Sequence, residues 1–273
     1  MSVPSETSDR LSSPTPTVAV IIPCHNHGAL VGKAIQSVLD QDYPAKMLSV
    51  VDDGSTDDSL KVLQDLMDEV AHQHEEDNGD IVMTGSCQGT PMILVHRPEA
   101  QKQGAARNTA IKLAWQNADL FCPLDADDLY LPGKLSKSVA LQQTNPNFIG
   151  LVYSDVIIHD TRDDTYVREF RPAYDRGILE LDNIISNAPL ISKDALGYSG
   201  LYDEELPPCE DWDLWLRITE NFVALHIPEP LQQYTATGQN CTFTVPGEVW
   251  HEKRMKIQAK LHERKQLRYG QGT

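Results

Sequence analysis

An α/β fold with a mostly parallel central sheet flanked by helices, followed by a C-terminal helical extension, is what this 273-residue sequence predicts. Three observations carry the prediction. Short, continuous apolar runs alternate with segments of helical periodicity, and strand–helix alternation needs the crossover connections of a parallel sheet. Two acidic clusters, Asp52-Asp53 and Asp125-Ala126-Asp127-Asp128, each follow directly on such a run. A basic, weakly apolar segment over residues 249–269 reads as a helix outside the alternation.

The elements follow in order. Residues 1–16 are rich in Ser, Thr and Pro and cannot bury enough apolar surface to order themselves, so they read as a flexible tail. Val18-Ala19-Val20-Ile21-Ile22 reads as a strand buried on both faces and stopped by Pro23. Val31, Ala34, Ile35, Val38 and Leu39 recur at helical spacing. Leu48 to Val51 is the next strand, followed by a helix with Leu60, Leu63, Met67 and Val70 on one face. Residues 72–90 are acidic and polar, an inserted loop or weak hairpin. Met92 to Val95 is the third strand, Gly104 to Trp115 a helix, and Leu120 to Cys122 leads into the second acidic cluster. Beyond it, Leu131 to Gln143 reads as a helix, Ile149 to Tyr153 as a strand, residues 154–208 as irregular, and Asp211 to Glu220 as a helix.

Composition narrows the function. A net charge of −17 excludes a nucleic-acid partner, because phosphate binding needs an excess of Lys and Arg. The five cysteines are odd in number and scattered without CxxC, which suits free thiols in a reducing, cytoplasmic setting. No run approaches the ~18 apolar residues of a membrane span. Lys253, Arg254, Lys256, Lys260, Arg264, Lys265 and Arg268 give the tail a basic face that can dock on a membrane, a partner or the protein's own acidic surface.

In parallel sheets ligands bind outside the carboxyl ends of the strands, so the two acidic clusters should meet at one edge. Three carboxylates in four residues repel one another unless neutralised, and Mg2+ or Mn2+ suits such oxygen ligands and readily shares phosphate oxygens with them. The competing explanation is helix capping by Asp127 or Asp128. A third segment, Cys209-Glu210-Asp211-Trp212, places a carboxylate at a helix start beside a tryptophan, where partial desolvation suits a general base; taken singly, capping with the tryptophans as core is the favoured explanation. His25 and His27 lie near the site without Cys or His partners at ligand spacing.

Taken together, these segments resemble family 2 glycosyltransferases of the GT-A (Rossmann-like) fold, an inverting family. The matching stretches are Val20 to His27, Val51 to Asp57, Gly104-Ala105-Ala106-Arg107-Asn108, Leu124 to Asp128 with Leu131-Pro132, and Glu210-Asp211-Trp212, in the family's order over roughly residues 17–240. The resemblance implies a nucleotide-sugar half (17–128), an acceptor half (129–240) and an extension (241–273). It implies that Asp53 holds the nucleotide base in a pocket lined by Pro23, Cys24, His25 and Asn26. Arg107 would lie near the donor phosphates, Asp125, Ala126 and Asp127 form the DxD motif with Asp127 the direct metal ligand, and Asp211 is the base. The implied reaction is single, non-processive transfer from a nucleotide-diphosphate donor, a UDP-sugar by analogy, to a hydroxyl on a carbohydrate, lipid-linked or other acceptor.

Two features depart from that pattern. The 72–90 stretch is longer than usual, and the family's basic Tyr-Arg-x-His stretch is replaced by Tyr234-Thr235-Ala236-Thr237-Gly238. The second departure leaves open a non-catalytic, nucleotide-sugar-binding module. A metal-dependent nucleotidyltransferase is disfavoured, since no Gly-rich phosphate loop is present.

Overall fold

A computed structural model describes residues 15–269; the expected tail therefore lies, but for its last two residues, outside the described part. The first half runs β1 (Val18–Cys24), α1 (Val31–Leu39), β2 (Met47–Asp53), α2 (Ser59–Asp65), β3 (Glu69–Glu75), β4 (Ile81–Cys87), β5 (Thr90–Arg97), α3 (Gln103–Ala114) and β6 (Leu120–Pro123). The second runs β7 (Leu129–Tyr130), α4 (Lys134–Gln142), β8 (Ile149–Asp160), β9 (Thr165–Glu169), α5 (Arg176–Leu181), β10 (Leu190–Ser192), α6 (Lys193–Ser199), α7 (Glu210–Ile218), β11 (Val223–Ala236), α8 (Cys241–Thr244) and α9 (Gly247–Tyr269).

One sheet takes in all of these strands, in the order β3-β4-β5-β2-β1-β6-β10-β8-β11-β7, with β9 paired to β8. Its centre, β5-β2-β1-β6, is parallel. Successive residues of β1 explain why it can be apolar throughout. Ala19 and Ile21 face one core, with Ala106, Ala110 and Ala114 of α3, Trp215 of α7 and Ile257 of α9. Val18, Val20 and Ile22 face the other, with Val31, Ala34 and Ile35 of α1 and Leu135 of α4. A strand covered on both sides has no polar face. Ser49, within the apolar run of β2, donates from Oγ to the Ala110 carbonyl at 2.9 Å, so its burial is compensated.

Several expectations need correction. The helix read through Val70 ends at Asp65. Asp68 instead accepts from the Gln88 and Gly89 amides (3.1 and 2.9 Å), which ties the chain into a hairpin. Of the two alternatives for residues 72–90 the structure has the hairpin, β3-β4, which begins earlier, at Glu69, and lengthens the sheet edge beyond β5. The helix expected from Leu131 starts at Lys134, because Leu129–Tyr130 pairs with β11 and Gly133 takes φ +80 before the first turn. The region read as irregular holds the rest of β8, then β9, α5, β10 and α6. β8 continues past Tyr153, where the buried Asp155 is paired with Arg168 (2.7 Å) and hydrogen-bonded to His226 Nε2 (2.7 Å).

The basic tail is settled by its contacts. Arg254 pairs with Asp182, Lys260 with Asp203, Arg264 with Glu220 and Lys265 with Glu180. Lys253 and Arg268 donate to the Glu205 and Glu220 carbonyls, and Lys256 pairs with Glu252 within the helix. Four of these charges thus pair with the protein's own acidic surface. Among the described residues no helix is long and apolar enough to cross a membrane.

Candidate active site

The parallel register sets Cys24 of β1 beside Asp52 of β2 and Ile21 beside Pro123 of β6, so the three strands end together. The loops leaving β1 and β2 are knitted to each other. Asn26, in the left-handed region at φ 58, accepts from the Thr56 amide at 2.8 Å and donates its own amide to Ser55 Oγ at 2.9 Å. His25 Nδ1 bonds the Asp53 carbonyl at 2.7 Å. Gly54 has φ +68, and a Cβ there would lie 2.6 Å from the Ala100 amide nitrogen; only glycine fits that turn. Asp57 accepts from Gly28 N (3.0 Å) and Ser59 N (2.9 Å), the capping role its position suggests.

Pro23 and Cys24 are buried, while His25 and Asn26 are exposed and line the groove. Burial pushes the Cys24 thiol up to about 12, so it is an inert wall rather than a nucleophile. Asp53 is turned inward: its carboxylate accepts from Arg97 Nη1 (2.9 Å) and from the Gln101 amide (3.0 and 3.1 Å). Asp52 is fully buried and bonds His96 at 2.7 Å.

Across the groove the three carboxylates of the second cluster have separate surroundings. Asp125 accepts from Arg107 Nη2 (2.6 Å), Gln103 (2.9 Å) and Asn187 (3.0 Å). Asp128 is buried and accepts from Asn187 (2.9 Å) and the Thr235 amide (3.0 Å). Asp127 bonds Asn240 Nδ2 at 2.9 Å and has His27 Nε2 at 3.9 Å. Ala126 between them is buried. Burial, together with repulsion from Asp125, raises the Asp127 carboxyl above the usual range; burial and repulsion from both neighbours hold Asp128 well above it.

Arg107 joins this cluster to the third. It is buried, and its Nη1 donates to Glu210 at 3.0 Å while Nη2 holds Asp125. Its burial works against the charge, but the carboxylates on either side more than compensate and keep it protonated. Asp211, the next residue along α7, accepts from its neighbour Trp212 N (2.6 Å) and from Asn183 Nδ2 (3.0 Å). Burial raises its carboxyl, with Arg107 pulling the other way. The three acidic segments thus sit around one groove, with Arg107 bridging the second and third.

Sequence reasoning missed the amides. Gln103, Asn183, Asn187 and Asn240 each hold a site carboxylate, and Gln232 donates to Asn187 at 2.6 Å. Asn240 also stands where the family's basic stretch is lost, donating to Asp127. No spacing rule marks these residues; Asn183 and Asn187 lie in the stretch read as irregular, while Gln103 opens α3 and Gln232 lies in β11.

The oxygen-rich donors, with raised carboxyls at Asp127 and Asp128, suit a hard divalent cation that would relieve the excess negative charge. Among the described residues no three His, Cys, Asp or Glu side chains converge as ligands. The fit is therefore to an ion held by one or two carboxylates, Asp127 and Asp125, and completed by phosphate and water oxygens.

A parallel-centred sheet with acidic loops at its carboxyl edge defines an α/β domain, and comparison with known proteins gives its family. Residues 19–193 match glycosyl transferase family 2, and the chain belongs to that family. An uncharacterised glycosyltransferase of Rickettsia bellii is 27% identical over 224 residues, covering 77% of this chain and 28% of that protein. One from Rickettsia conorii is 27% identical over 237 residues, covering 85% and 35%. The chain thus spans about a third or less of these curated relatives' length. In fold it resembles S. aureus TarS 1–349 in complex with UDP-GlcNAc, with TM-score 0.64 at 16% identity, covering 92% of this chain and 72% of that one. It also resembles the mannosyltransferase PcManGT from Pyrobaculum calidifontis in complex with GDP-Man and Mn2+, with TM-score 0.60 at 18% identity, covering 91% and 64%. The fold is GT-A.

Proposed function

We propose that this domain transfers a sugar from a nucleotide-diphosphate donor, a UDP-sugar, to an acceptor hydroxyl, with inversion and one transfer per encounter. The observation that carries the reading is that Arg107 bridges Asp125, next to Asp127 in the second acidic cluster, and Glu210, the neighbour of Asp211 on α7. The TarS structure with UDP-GlcNAc and the PcManGT structure with GDP-Man support a nucleotide-sugar donor for this fold.

In this reading the base lies in the pocket of Pro23, Cys24, His25 and Asn26, with Asp53 shaping its wall through Arg97 and Gln101. Asp127 and Asp125 would hold Mg2+ or Mn2+, which when bound supplies positive charge to the departing diphosphate. Ala126, buried between them, keeps the turn narrow. Arg107 fixes Asp125 and adds a permanent positive charge on the phosphate side. Asp211 takes the proton of the acceptor hydroxyl as it attacks the anomeric carbon from the face opposite the diphosphate. Its raised carboxyl is a stronger base, when ionised, than an exposed aspartate. Residues 17–128 form the donor half, 129–240 the acceptor half and 241–273 the extension. A carbohydrate, a lipid-linked sugar or another hydroxyl compound serves as acceptor. Free cysteines throughout the described chain favour a cytoplasmic setting.

The test is thermal stabilisation by a panel of nucleoside diphosphates with and without Mn2+. A ligand at ~100 times its dissociation constant adds about 2.7 kcal/mol. A Mn2+-dependent shift with UDP is expected; a folded protein that none of them shifts would refute the reading. A donor-binding module without turnover is the second reading, favoured by Asn240 in place of the family's basic stretch. It predicts the same shift but no release of UDP from any UDP-sugar.

A further inference from the structure

We infer that Arg254, on α9, is a positioning residue for Asp211, acting through the end of α5. The inference rests on Asp211 being the base. Its starting point is Leu181-Asp182 at the end of α5, ahead of the point where Ile184 and Ile185 enter the core. Leu181 is 75% exposed and the Asp182 side chain 67% exposed, so no apolar burial fixes them. A short stretch with exposed side chains and few buried contacts is locally unstable unless polar contacts tie it down.

Those contacts come from α9. Arg254 Nη2 donates to the Leu181 carbonyl at 3.0 Å, and Nη1 bonds Asp182 Oδ1 at 3.0 Å. One turn further, Gln258 donates to the Glu180 carbonyl at 2.5 Å, and Lys265 pairs with the Glu180 carboxylate at 2.6 Å. The guanidinium of Arg254 also lies over the Trp212 ring, 5.0 Å from its centroid. Trp212 Nε1 in turn donates to the Leu179 carbonyl at 2.7 Å. Arg254 therefore touches both α5 and the residue next to Asp211.

The residue after the clamp is Asn183, whose Nδ2 donates to Asp211 Oδ2 at 3.0 Å, while the Trp212 amide holds Oδ1 at 2.6 Å. Both oxygens of the base are thereby oriented, one by its own helix and one by a loop whose position α9 sets. Proton abstraction needs the carboxylate within hydrogen-bond reach of the acceptor hydroxyl, and small misplacements are costly in rate. Arg254 does not reach Asp211, and its effect is mechanical. α9 lies beyond the 19–193 match and beyond the stretches that carry the family resemblance, so this support comes from the chain's C-terminal extension.

The experiment compares full-length Arg254→Ala, Arg254→Lys, Asn183→Ala, Arg254→Ala/Asn183→Ala and Asp211→Asn. Hydrogen exchange, which needs no substrate, is read over residues 179–187 and 209–213. Arg254→Ala should speed exchange there and leave β1, β2 and β6 at wild-type rates. Release of UDP from UDP-GlcNAc gives the second readout. Arg254→Ala should lower kcat about ten- to a hundredfold with KM unchanged. Asn183→Ala should do the same, the double variant should be no worse than either single one, and Arg254→Lys should recover part of the loss. Wild-type exchange over 179–187 in Arg254→Ala overturns the inference. So does an unchanged kcat in Arg254→Ala when Asp211→Asn abolishes turnover. Wild-type turnover in Asp211→Asn instead removes the base assignment itself, whatever Arg254 does.

Discussion

Three adjacent carboxylates do three different jobs, and their neighbours decide which. Asp128 is buried against Asn187 and the Thr235 amide and acts as a fastener between the DxD turn and β11. Asp125 is saturated by Arg107, Gln103 and Asn187. Asp127 keeps the freest oxygens, so Asp127→Ala should abolish Mn2+-dependent stabilisation by UDP while the melting temperature of the ligand-free protein stays close to wild type. Asp211→Asn removes proton-accepting capacity and preserves size, its amide oxygen keeping one of the two hydrogen bonds that Asp211 accepts. UDP should still stabilise that variant, and transfer should fall by about two to four orders of magnitude in a steady-state assay. The acidic runs were legible because their members are consecutive and each run ends a strand. Asn183, Asn187 and Asn240 were not, since each becomes part of the site only when a distant loop folds over the groove.

Among the elements, α9 was legible as a helix but not in its docking. Its apolar stripe is thin: Ile257 and Leu261 are buried among the described core residues, and the rest of the contact is charge. Burial alone would raise Glu180 and Asp203, but Lys265 and Arg176 on one and Lys260 on the other bring both below the ordinary carboxylate range. A carboxyl lowered in the folded state stabilises it above the ordinary value, and that contribution fades as pH falls through the folded value. Acidification below about pH 4 is therefore expected to loosen α9 before the sheet, visible as faster amide exchange over 247–268. Each pair is partly exposed and contributes only about 0–1 kcal/mol, so 1 M salt should give a weaker version of the same change. β11 was missed for a different reason. Pro228 and Pro230 break the alternation, and the register with β8 shifts between Ile227 and Gln232, so no local pattern marks a strand that only its partner completes.

At the scale of the molecule, the donor and acceptor halves share one sheet and both cores. Ile21 of β1 lies in the same core as Trp215 of α7 and Ile257 of α9, although they are far apart in sequence. Neither half can keep its core closed without the other. Calorimetry should accordingly show one unfolding transition with matching calorimetric and van't Hoff enthalpies, and two separated transitions would contradict a shared core. Parallel order near the centre was legible from alternation, and residues 72–90 were legible as a loop or a hairpin, whereas β10 was not. Its three residues, Leu190–Ser192, are too few to show a period.

Every residue of β3 is exposed, and the strand forms one margin of the sheet, with Glu69 and Glu75 near its ends. An open margin offers unpaired backbone groups to any other extended chain, and charge is what keeps such a margin from growing. The hairpin that lengthens this domain therefore brings a hazard of self-association with it, and its glutamates are the safeguard. Replacing Glu69 and Glu75 with threonine should leave the fold intact yet make the protein cluster on storage at high concentration, which light scattering would follow over days.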